Sequence, residues 1–414
     1  MTSMLEAYAA VTGDDVIRHL QQLSRSLRGK TLVHVNSTRV GGGVAEILEK
    51  LVPLARELGI DARWEVITGD SEFYRCTKSL HNAIQGNQLS IPEAQLNHFR
   101  DVNEQNANQL RPILEEADFV FIHDPQPAAL LQYCQARKGK WIWRCHIDAS
   151  HPHRRTWRFV EQFVREYDAS IFSLPQFVQP MPHPSYIVSP SIDPLSDKNI
   201  DLSRDELDQV QSRFGINPEA PMIAQISRFD HFKDPVGVIE AYKLAKRYIP
   251  NLQMVLAGGG ATDDPEGEAV VNEVRFAAGD DPNIKILLLP PDAHRTINAL
   301  QRLADIVLQK STKEGFGLTV TEALWKGKPV IGGDTGGIRL QVINFHTGFL
   351  VNTSEGAALR IRYLLNQRQK MQEMGDKGRE FVRENFLLTR QLREHLTLMV
   401  ALQHHADNRI EVSG

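Results

Sequence analysis

The sequence has few cysteines and no long apolar run, and both shortages narrow the class of protein. Its three cysteines, Cys76, Cys134 and Cys145, are odd in number and far apart. They predict neither a disulfide framework nor a metal pattern, and they favour a reducing, cytoplasmic setting with the thiols buried as small apolar groups. No stretch of about 18 apolar residues occurs, so we expect no membrane span. Met1 to Tyr8 lack a charged segment followed by an apolar one, so we expect no signal peptide.

An excess of one charge is also lacking. The 47 Lys and Arg residues nearly balance the 51 Asp and Glu residues, which leaves a formal net charge of −4. This balance provides no basic field for nucleic acid. A hydrophobic fraction of 42% is ordinary for a globular protein, and 414 residues predict two or more domains.

Apolar strand patterns alternate with helical patterns along the chain, which predicts an α/β protein. In open α/β sheets, ligands bind beyond the carboxyl ends of the strands. Five polar residues in the first half of the chain fall at such ends: Asn36, His123, Asp124, His146 and Asp148.

A glycine loop follows the first predicted strand and precedes a helix. It contains Gly41, Gly42 and Gly43, which do not form a G-x-G-x-x-G pattern and are therefore a poor dinucleotide fingerprint. Three consecutive glycines do allow a ligand to approach the backbone closely. The alternative interpretation is a flexible turn.

Two cations, Arg228 and Lys233, lie on one loop between a strand at 222–227 and a helix. Arg can bind a phosphate through two parallel hydrogen bonds, and Lys acts on it as a point charge. The pattern therefore predicts a diphosphate site. The alternative is a pair of surface cations.

A third motif spans a strand-to-helix turn, with Glu314, Gly315 and Gly317 on the turn and Glu322 in the helix that starts at Leu318. Free N–H groups and the helix dipole favour an anion at such a turn. Carboxylates accept strong hydrogen bonds from hydroxyl groups, so the two glutamates indicate a sugar ligand. The alternative is two solvated glutamates.

Together these motifs resemble those of the GT4 family of retaining glycosyltransferases, in their order and spacing, and the resemblance covers most of the chain. It rests on the E-x7-E pattern of Glu314 and Glu322, the R-x4-K pattern of Arg228 and Lys233, and the glycine loops. The family has the GT-B fold, in which two Rossmann-like α/β domains face each other across a cleft. The resemblance implies an acceptor domain at 1–195, with a C-terminal helix at 388–414 packing back on it. It also implies a nucleotide-sugar donor domain at 203–387, and the polar segment 191–202 is interpreted as the linker.

The resemblance also implies roles for individual residues. Glu314 would face the transferred sugar, Glu322 would hold the ribose, and Arg228 and Lys233 would clamp the diphosphate. His146, in an Arg-Cys-His-Ile-Asp stretch similar to one in the family, would contact the donor sugar. The remaining residues implied to bind the donor are Asn36, Gly41, Gly42, Gly43, Asp148, Leu289, Gly315, Phe316, Gly317, Leu318 and Thr319.

Within the family, the sequence is most similar to enzymes that join glucose from ADP-, UDP- or GDP-glucose to free glucose and form α,α-trehalose reversibly. The expected partners are therefore a nucleotide sugar and glucose, without nucleic acid, membrane, cofactor or metal; a homodimer is left open. Glu314 is the only carboxylate expected near the anomeric carbon, and family members form no adduct there. The hypothesis is therefore substitution on one face, with the departing diphosphate taking the proton of the acceptor.

Four alternatives remain open. A GT4-type trehalose phosphorylase would carry nearly the same motifs but use phosphate. Another GT4 enzyme would use a different acceptor, a nucleotide-sugar 2-epimerase shares the two-domain fold, and a sugar- or nucleotide-binding protein would perform no reaction.

Overall fold

The computed structural model describes residues 3–40, 43–259 and 265–404, and these form two compact units. The first contains the described residues of Met1–Pro190 and Leu388–Gly414, and the second is Ser191–Leu387. Each unit has one six-stranded sheet, and every strand pair among the described residues is parallel. The predicted α/β class is confirmed.

The first unit begins with two helices and then alternates strands with helices. Its strands are β1 (Thr31–Asn36), β2 (Asp61–Val66), β3 (Phe119–His123), β4 (Lys140–Arg144), β5 (Ala169–Phe172) and β6 (Ser185–Ile187), in the sheet order β2-β1-β3-β4-β5-β6. Its helices are α1 (Met4–Thr12), α2 (Asp14–Ser24), α3 (Gly43–Glu57), α4 (Ser71–Ile84), α5 (Glu93–Leu114), α6 (Leu130–Tyr133) and α7 (Arg154–Val164).

The central strands of this sheet are buried on both faces. All five residues of β3 and all of β4 after Lys140 are buried. Parallel strands covered by helices on both faces require apolar residues throughout, which explains the unbroken apolar runs. Trp143 fills the core with its ring edge-to-face on Phe172, at a centroid distance of 5.9 Å.

Two elements differ from the sequence-based expectation. The sequence predicts a helix from Pro127, but α6 spans only Leu130–Tyr133 because the preceding residues form a turn. The sequence predicts the second strand at 64–68, but β2 spans Asp61–Val66. It begins earlier because Asp61 pairs directly with Thr31 of β1.

The helix α16 (Leu388–Gln403) belongs to the first unit although it comes last in the chain. Its expected apolar stripe is buried at Leu392, Leu396 and Met399, and the helix packs against α2 and α3. Arg390 ties the start of α16 to the end of the first unit, because it donates hydrogen bonds to the carbonyls of Ser189 and Pro190 at 2.8 and 3.1 Å.

The second unit repeats the same architecture. Its strands are β7 (Met222–Ile226), β8 (Gln253–Gly259), β9 (Ile284–Leu289), β10 (Ile306–Gln309), β11 (Val330–Gly333) and β12 (Gly348–Val351), in the order β12-β11-β10-β7-β8-β9. Its helices are α8 (Arg204–Phe214), α9 (Pro235–Lys246), α10 (Pro265–Ala278), α11 (His294–Leu303), α12 (Leu318–Trp325), α13 (Ile338–Gln341), α14 (Ser354–Asn366) and α15 (Arg368–Asn385).

The segment interpreted as a linker, 191–202, packs on the second unit. Ile192 forms a bridge with Leu387, and Asn199 is buried beside α12. The Asn199 carbonyl accepts hydrogen bonds from Arg302 at 3.1 Å and from the Trp325 indole at 3.3 Å. The buried part of this segment is therefore held in one conformation by the second unit.

None of the helices within the described residues combines the length and the apolar character needed to cross a membrane.

Candidate active site

The paired-glutamate motif lies at the carboxyl end of β10, on a turn that leads into α12. Gly317 precedes the helix with φ at +85°, a left-handed conformation that glycine adopts without steric cost. The N–H groups of Gly315 and Gly317 donate no hydrogen bond to any group in the described chain. These donors are therefore available to an anion at the start of the helix.

Glu314 is the hydrogen-bond centre of this turn. Its Oε2 atom accepts hydrogen bonds from Lys233 Nζ at 2.6 Å, from Gln309 Nε2 at 3.4 Å and from Ser311 Oγ at 3.3 Å. The side chains of Glu314 and Lys233 are 10% and 16% exposed, so water screens the pair only partly. Oε1 accepts no hydrogen bond from the residues that the structure describes, which leaves one carboxylate oxygen for a ligand.

A second glycine loop, after β11, packs directly on the backbone of Glu314. Gly336 has φ at +45°, and a Cβ there would lie 1.7 Å from the Glu314 carbonyl oxygen. The Gly337 N–H donates to the Gly315 carbonyl at 3.0 Å. Gln341 Nε2 donates to the Phe316 carbonyl at 2.8 Å. Close backbone contacts with the loop after β11 therefore hold the turn around Glu314. Side chains in place of the glycines of this loop would block these contacts.

Lys233 is placed by a short 3-10 helix, His231–Lys233, between β7 and α9. Its carbonyl accepts a hydrogen bond from Gln225 at 2.7 Å. The next residue, Asp234, has φ at +48° and caps α9 by accepting from the Gly237 N–H at 3.1 Å. Lys310 forms an ion pair with Asp234. The loop therefore holds Lys233 against Glu314 by contacts on both sides.

Arg228, the other predicted clamp residue, is not brought against Lys233. Its side chain is 78% exposed, and a guanidinium nitrogen lies 3.8 Å from Asp230. The structure thus unites Lys233 with Glu314 and leaves Arg228 on the surface of the same loop.

Glu322 lies one turn into α12 and is buried, with 7% of its surface exposed. Lys326 follows one turn later and is also buried; its Nζ donates to Asn199 Oδ1 at 3.1 Å and to the Glu322 carbonyl at 3.2 Å. Burial lowers the pKa of Lys326 to about 7, although the charge of Glu322 opposes the shift.

The other predicted donor-binding residues of the second unit lie at the end of β9, on the turn before α12 and at the start of α12. Leu289 is buried and ends β9, opposite Gly259 of β8. Leu318 and Thr319 begin α12, and Thr319 Oγ1 donates to Gln309 Oε1 at 3.3 Å. The Phe316 ring packs on Phe386 at 5.6 Å between centroids.

In the first unit, His146 is held by two neighbours at the ends of β3 and β4. Its N–H donates to Asp124 Oδ1 at 2.8 Å, and its Nε2 lies 3.0 Å from Nδ1 of His123. Asp124 has φ at +63°, an uncommon conformation for a residue with a side chain. Burial raises the pKa of Asp124 to about 6 and lowers that of His146 well below its usual range.

The other predicted residues of this unit use their side chains locally. Asn36 accepts from the Trp64 indole at 2.9 Å and donates to the Thr38 carbonyl at 2.7 Å. Asp148 accepts from the Ser150 N–H at 2.9 Å and the Ser150 hydroxyl at 2.6 Å. Gly43 begins α3, whereas Gly41 and Gly42 lie outside the described residues.

Several residues that support Glu314 and His146 are not among the predicted site residues. Gln309 and Ser311 lie at the end of a buried strand, so the strand-end rule that selected Asn36 and His123 also applies to them. Gln341 and His34 carried no such signal, because each lies within a helix or strand and becomes relevant only through packing.

The three cysteines are buried and free, in agreement with their predicted role as small apolar groups. Across the described ranges, no three His, Cys, Asp or Glu side chains are grouped so that they could hold a metal ion.

Comparison with known proteins follows the division into two units. A family model described as trehalose synthase, N-terminal domain, matches residues 34–179, and one described as glycosyl transferases group 1 matches residues 208–381. The trehalose synthase of Pyrococcus horikoshii is 45% identical over 402 residues, which are 96% of this chain and 96% of that protein. The chain belongs to the trehalose synthase family of GT4 glycosyltransferases.

A second relative supports this family assignment, and a solved structure supports the fold. The trehalose synthase of Rubrobacter xylanophilus is 41% identical, over 96% of this chain and 97% of that protein. Among solved structures, Anabaena HepE in complex with UDP-glucose superposes with a TM-score of 0.66 at 14% identity, covering 90% of this chain and 99% of that one. The expected GT-B fold is therefore confirmed.

Proposed function

We propose that this trehalose synthase family member transfers glucose from a nucleoside diphosphate glucose to free glucose, reversibly and with retention at the anomeric carbon, and so forms α,α-trehalose. One observation carries the proposal: the Lys233–Glu314 ion pair of 2.6 Å beside the glycine turn that opens α12. The pair sets a cation, a carboxylate and unpaired N–H groups side by side, which suits a sugar bonded to a diphosphate.

Glu314 binds a hydroxyl of the donor sugar in this proposal. Protein donors converge on Oε2, and Oε1 makes no hydrogen bond within the described residues. Three donors restrict the rotation of this carboxylate, so its second oxygen points in a defined direction.

The diphosphate is bound by Lys233, Arg228 and the N–H groups of Gly315, Phe316 and Gly317. Lys233 is already fixed, whereas Arg228 is exposed and closes on the phosphate when it binds. Glu322 binds the ribose, and backbone groups at Leu289 bind the base. The other donor contacts are assigned to Leu318 and Thr319 of the second unit, and to Asn36, Gly41, Gly42, Gly43, His146 and Asp148 of the first.

The chemical step is substitution on one face of the sugar. The bond from the anomeric carbon to the phosphate oxygen breaks, and the diphosphate leaves with the electron pair. The acceptor hydroxyl oxygen forms the new bond on the same face, and its proton goes to the departing diphosphate. The cations and N–H groups stabilise the developing charge, each by a few kcal/mol. No cofactor or metal takes part in this scheme.

The product and the class of donor are supported by different comparisons. The proteins of P. horikoshii and R. xylanophilus are trehalose synthases, which supports trehalose as the product, and the structurally similar HepE protein binds UDP-glucose, which supports a nucleotide sugar as the donor.

The test is incubation of the purified chain with glucose and each of ADP-, UDP- and GDP-glucose, with products identified by proton NMR. We expect α,α-trehalose and one nucleoside diphosphate per disaccharide, and the reverse reaction from trehalose and the diphosphate. The Glu314→Gln variant is the matched control, because it retains the shape of the side chain without its charge.

The alternatives give different products. A phosphorylase forms trehalose from glucose 1-phosphate and releases phosphate. An epimerase converts the nucleotide sugar without any acceptor, and a different acceptor specificity yields no trehalose. A binding protein yields no product with any donor. Each of these outcomes contradicts the proposed function.

A further inference from the structure

Three histidines of the first unit form a continuous hydrogen-bonded chain. Nδ1 of His34 lies 3.0 Å from Nε2 of His123, and Nδ1 of His123 lies 3.0 Å from Nε2 of His146. The chain runs from the middle of β1, through the end of β3, to the residue proposed to contact the donor sugar. Only His146 is not fully buried.

The three rings are held in the neutral state. Burial lowers the pKa of His34 to about 3, and burial with neighbouring positive charge lowers those of His123 and His146 well below their usual range. The buried guanidinium of Arg144 contributes to the last two shifts. A neutral imidazole carries one N–H and one lone pair.

Because each ring is neutral, the tautomer of one ring determines the tautomers of the rings it is hydrogen-bonded to. His123 uses both nitrogens in the chain, so one of them donates and the other accepts. If His123 donates from Nδ1, then His146 accepts at Nε2 and must carry its proton on Nδ1. If His123 donates from Nε2, then His146 must carry its proton on Nε2. All three rings therefore share one tautomer.

The buried end of the chain selects between these two arrangements. Nε2 of His34 is buried and has no hydrogen-bond partner among the described residues. The Nε2–H arrangement would place an unpaired N–H donor there, whereas the Nδ1–H arrangement places a lone pair. Buried donors without a partner are rarer than buried acceptors without one.

We infer that His34 and His123 are positioning residues that hold His146 in the Nδ1–H tautomer. His146 then presents an N–H donor, and not a base, to a hydroxyl of the donor sugar. Nδ1 of His146 makes no hydrogen bond within the described chain, so this donor is available. Asp124 fixes the backbone of His146 while His123 fixes its ring. The inference rests on the proposed function for the identity of the ligand, but not for the tautomer.

The tautomer is measured directly on the wild-type protein. Long-range ¹H–¹⁵N correlation spectra of the chain labelled with ¹⁵N-histidine separate the Nδ1–H and Nε2–H forms, and comparison with a His146→Gln variant assigns the His146 signals. We expect the Nδ1–H form for His34, His123 and His146. An Nε2–H form at His146 overturns the inference, whatever the enzyme makes.

Binding measurements test the positioning role. His123→Phe retains a buried ring but removes both hydrogen bonds, and we expect it to weaken the binding of the preferred nucleoside diphosphate glucose about tenfold. The nucleoside diphosphate without the sugar should bind as before. His123→Gln can still donate and accept, so it should restore most of the affinity.

The matched control is His395→Phe. His395 is buried in the same cluster, 6.3 Å from His34 between ring centroids, but neither of its nitrogens has a hydrogen-bond partner in the described chain. It should leave the affinity for the nucleotide sugar unchanged. An equal loss of affinity in both Phe variants, or an equal loss for nucleotide with and without sugar, would contradict the positioning role.

This design separates the two proposals. If the wild-type chain binds no nucleoside diphosphate glucose, the proposed function fails and the spectra still decide the tautomer. If trehalose forms but His146 carries its proton on Nε2, the function stands and the inference fails.

Discussion

Nζ of Lys233 lies 2.6 Å from Oε2 of Glu314, although 81 positions separate the two residues in the chain. They meet because β7 and β10 are neighbours in the second sheet, so the loops that follow these strands emerge at the same edge. Parallel strands bring such loops together whatever their separation in sequence. The pair places a cation and a carboxylate where the proposed function needs both.

Removing either predicted phosphate-binding cation should impair catalysis. Lys233→Ala and Arg228→Ala should each lower kcat/KM about 10²-fold or more, as expected for the loss of roughly 3 kcal/mol of charge stabilisation. Steady-state kinetics with the preferred donor measure the effect. Lys243→Ala, at an exposed position on α9, is the control and should leave the rate unchanged. Wild-type rates in both site variants would remove the clamp from the proposal.

Glu322→Ala should raise the KM for the donor and leave kcat at saturating donor close to that of the wild type. The physical reason is that a ribose contact is equally strong in the ground state and the transition state. Kinetics over a wide donor range separate the two constants. A loss of kcat at saturation would contradict the ribose role.

Gly336→Ala should disrupt the turn that carries Glu314. The added Cβ would lie 1.7 Å from the Glu314 carbonyl oxygen, so the turn must move. We expect a loss of stability of about 2 kcal/mol or more, with a large loss of activity. Gly279→Ala is the matched control, because Gly279 also has a positive φ but has no atom within 4 Å of an added Cβ.

That control isolates backbone strain. It should cost only about 1 kcal/mol and leave the activity unchanged. Urea unfolding and kcat/KM on both variants provide the comparison. Equal losses of stability in the two variants would show that backbone strain, and not the contact with Glu314, accounts for the effect of Gly336→Ala.

Acid should destabilise the first unit. Burial lowers the pKa of His34 from 6.5 to about 3, and those of His123, His146 and His395 also fall well below 6.5. Below about pH 6.5 the unfolded chain therefore binds more protons than the folded chain, and the free energy of unfolding falls as the pH falls. The raised pKa of Asp124, between its ordinary 3.8 and about 6, and the raised pKa of His98 act in the opposite direction, but they are two groups against five histidines, because the pKa of His183 is lowered as well.

Urea unfolding at about pH 7.5 and about pH 5 measures this dependence. His34→Phe should remove one titrating group, so the fall in the free energy of unfolding between these two pH values should be smaller by about 2 kcal/mol. An unchanged fall in the variant, or greater stability of the wild type in acid, would contradict the assignment.

The residues of the candidate site could be predicted where they belong to a local sequence pattern. Glu314, Gly315 and Gly317 were found from a glycine turn between a strand and a helix, and Lys233 from two cations on a strand-end loop. The pairing of Lys233 with Glu314 was not predicted, because no local pattern records which strands are neighbours. Arg228 and Lys233 were predicted as two cations on one loop, but their different surroundings were not, since a spacing of five residues on a loop does not fix side-chain directions.

The sequence by itself determined the α/β class, the strand-end positions of the candidate residues and the family. It could do so because apolar periodicity and glycine turns are local consequences of burial and backbone geometry. Only the tertiary structure decided that His34, His123 and His146 form one hydrogen-bonded chain, and that Lys233 pairs with Glu314. These contacts join residues far apart in the chain, and packing, not local preference, brings their side chains to within hydrogen-bond distance.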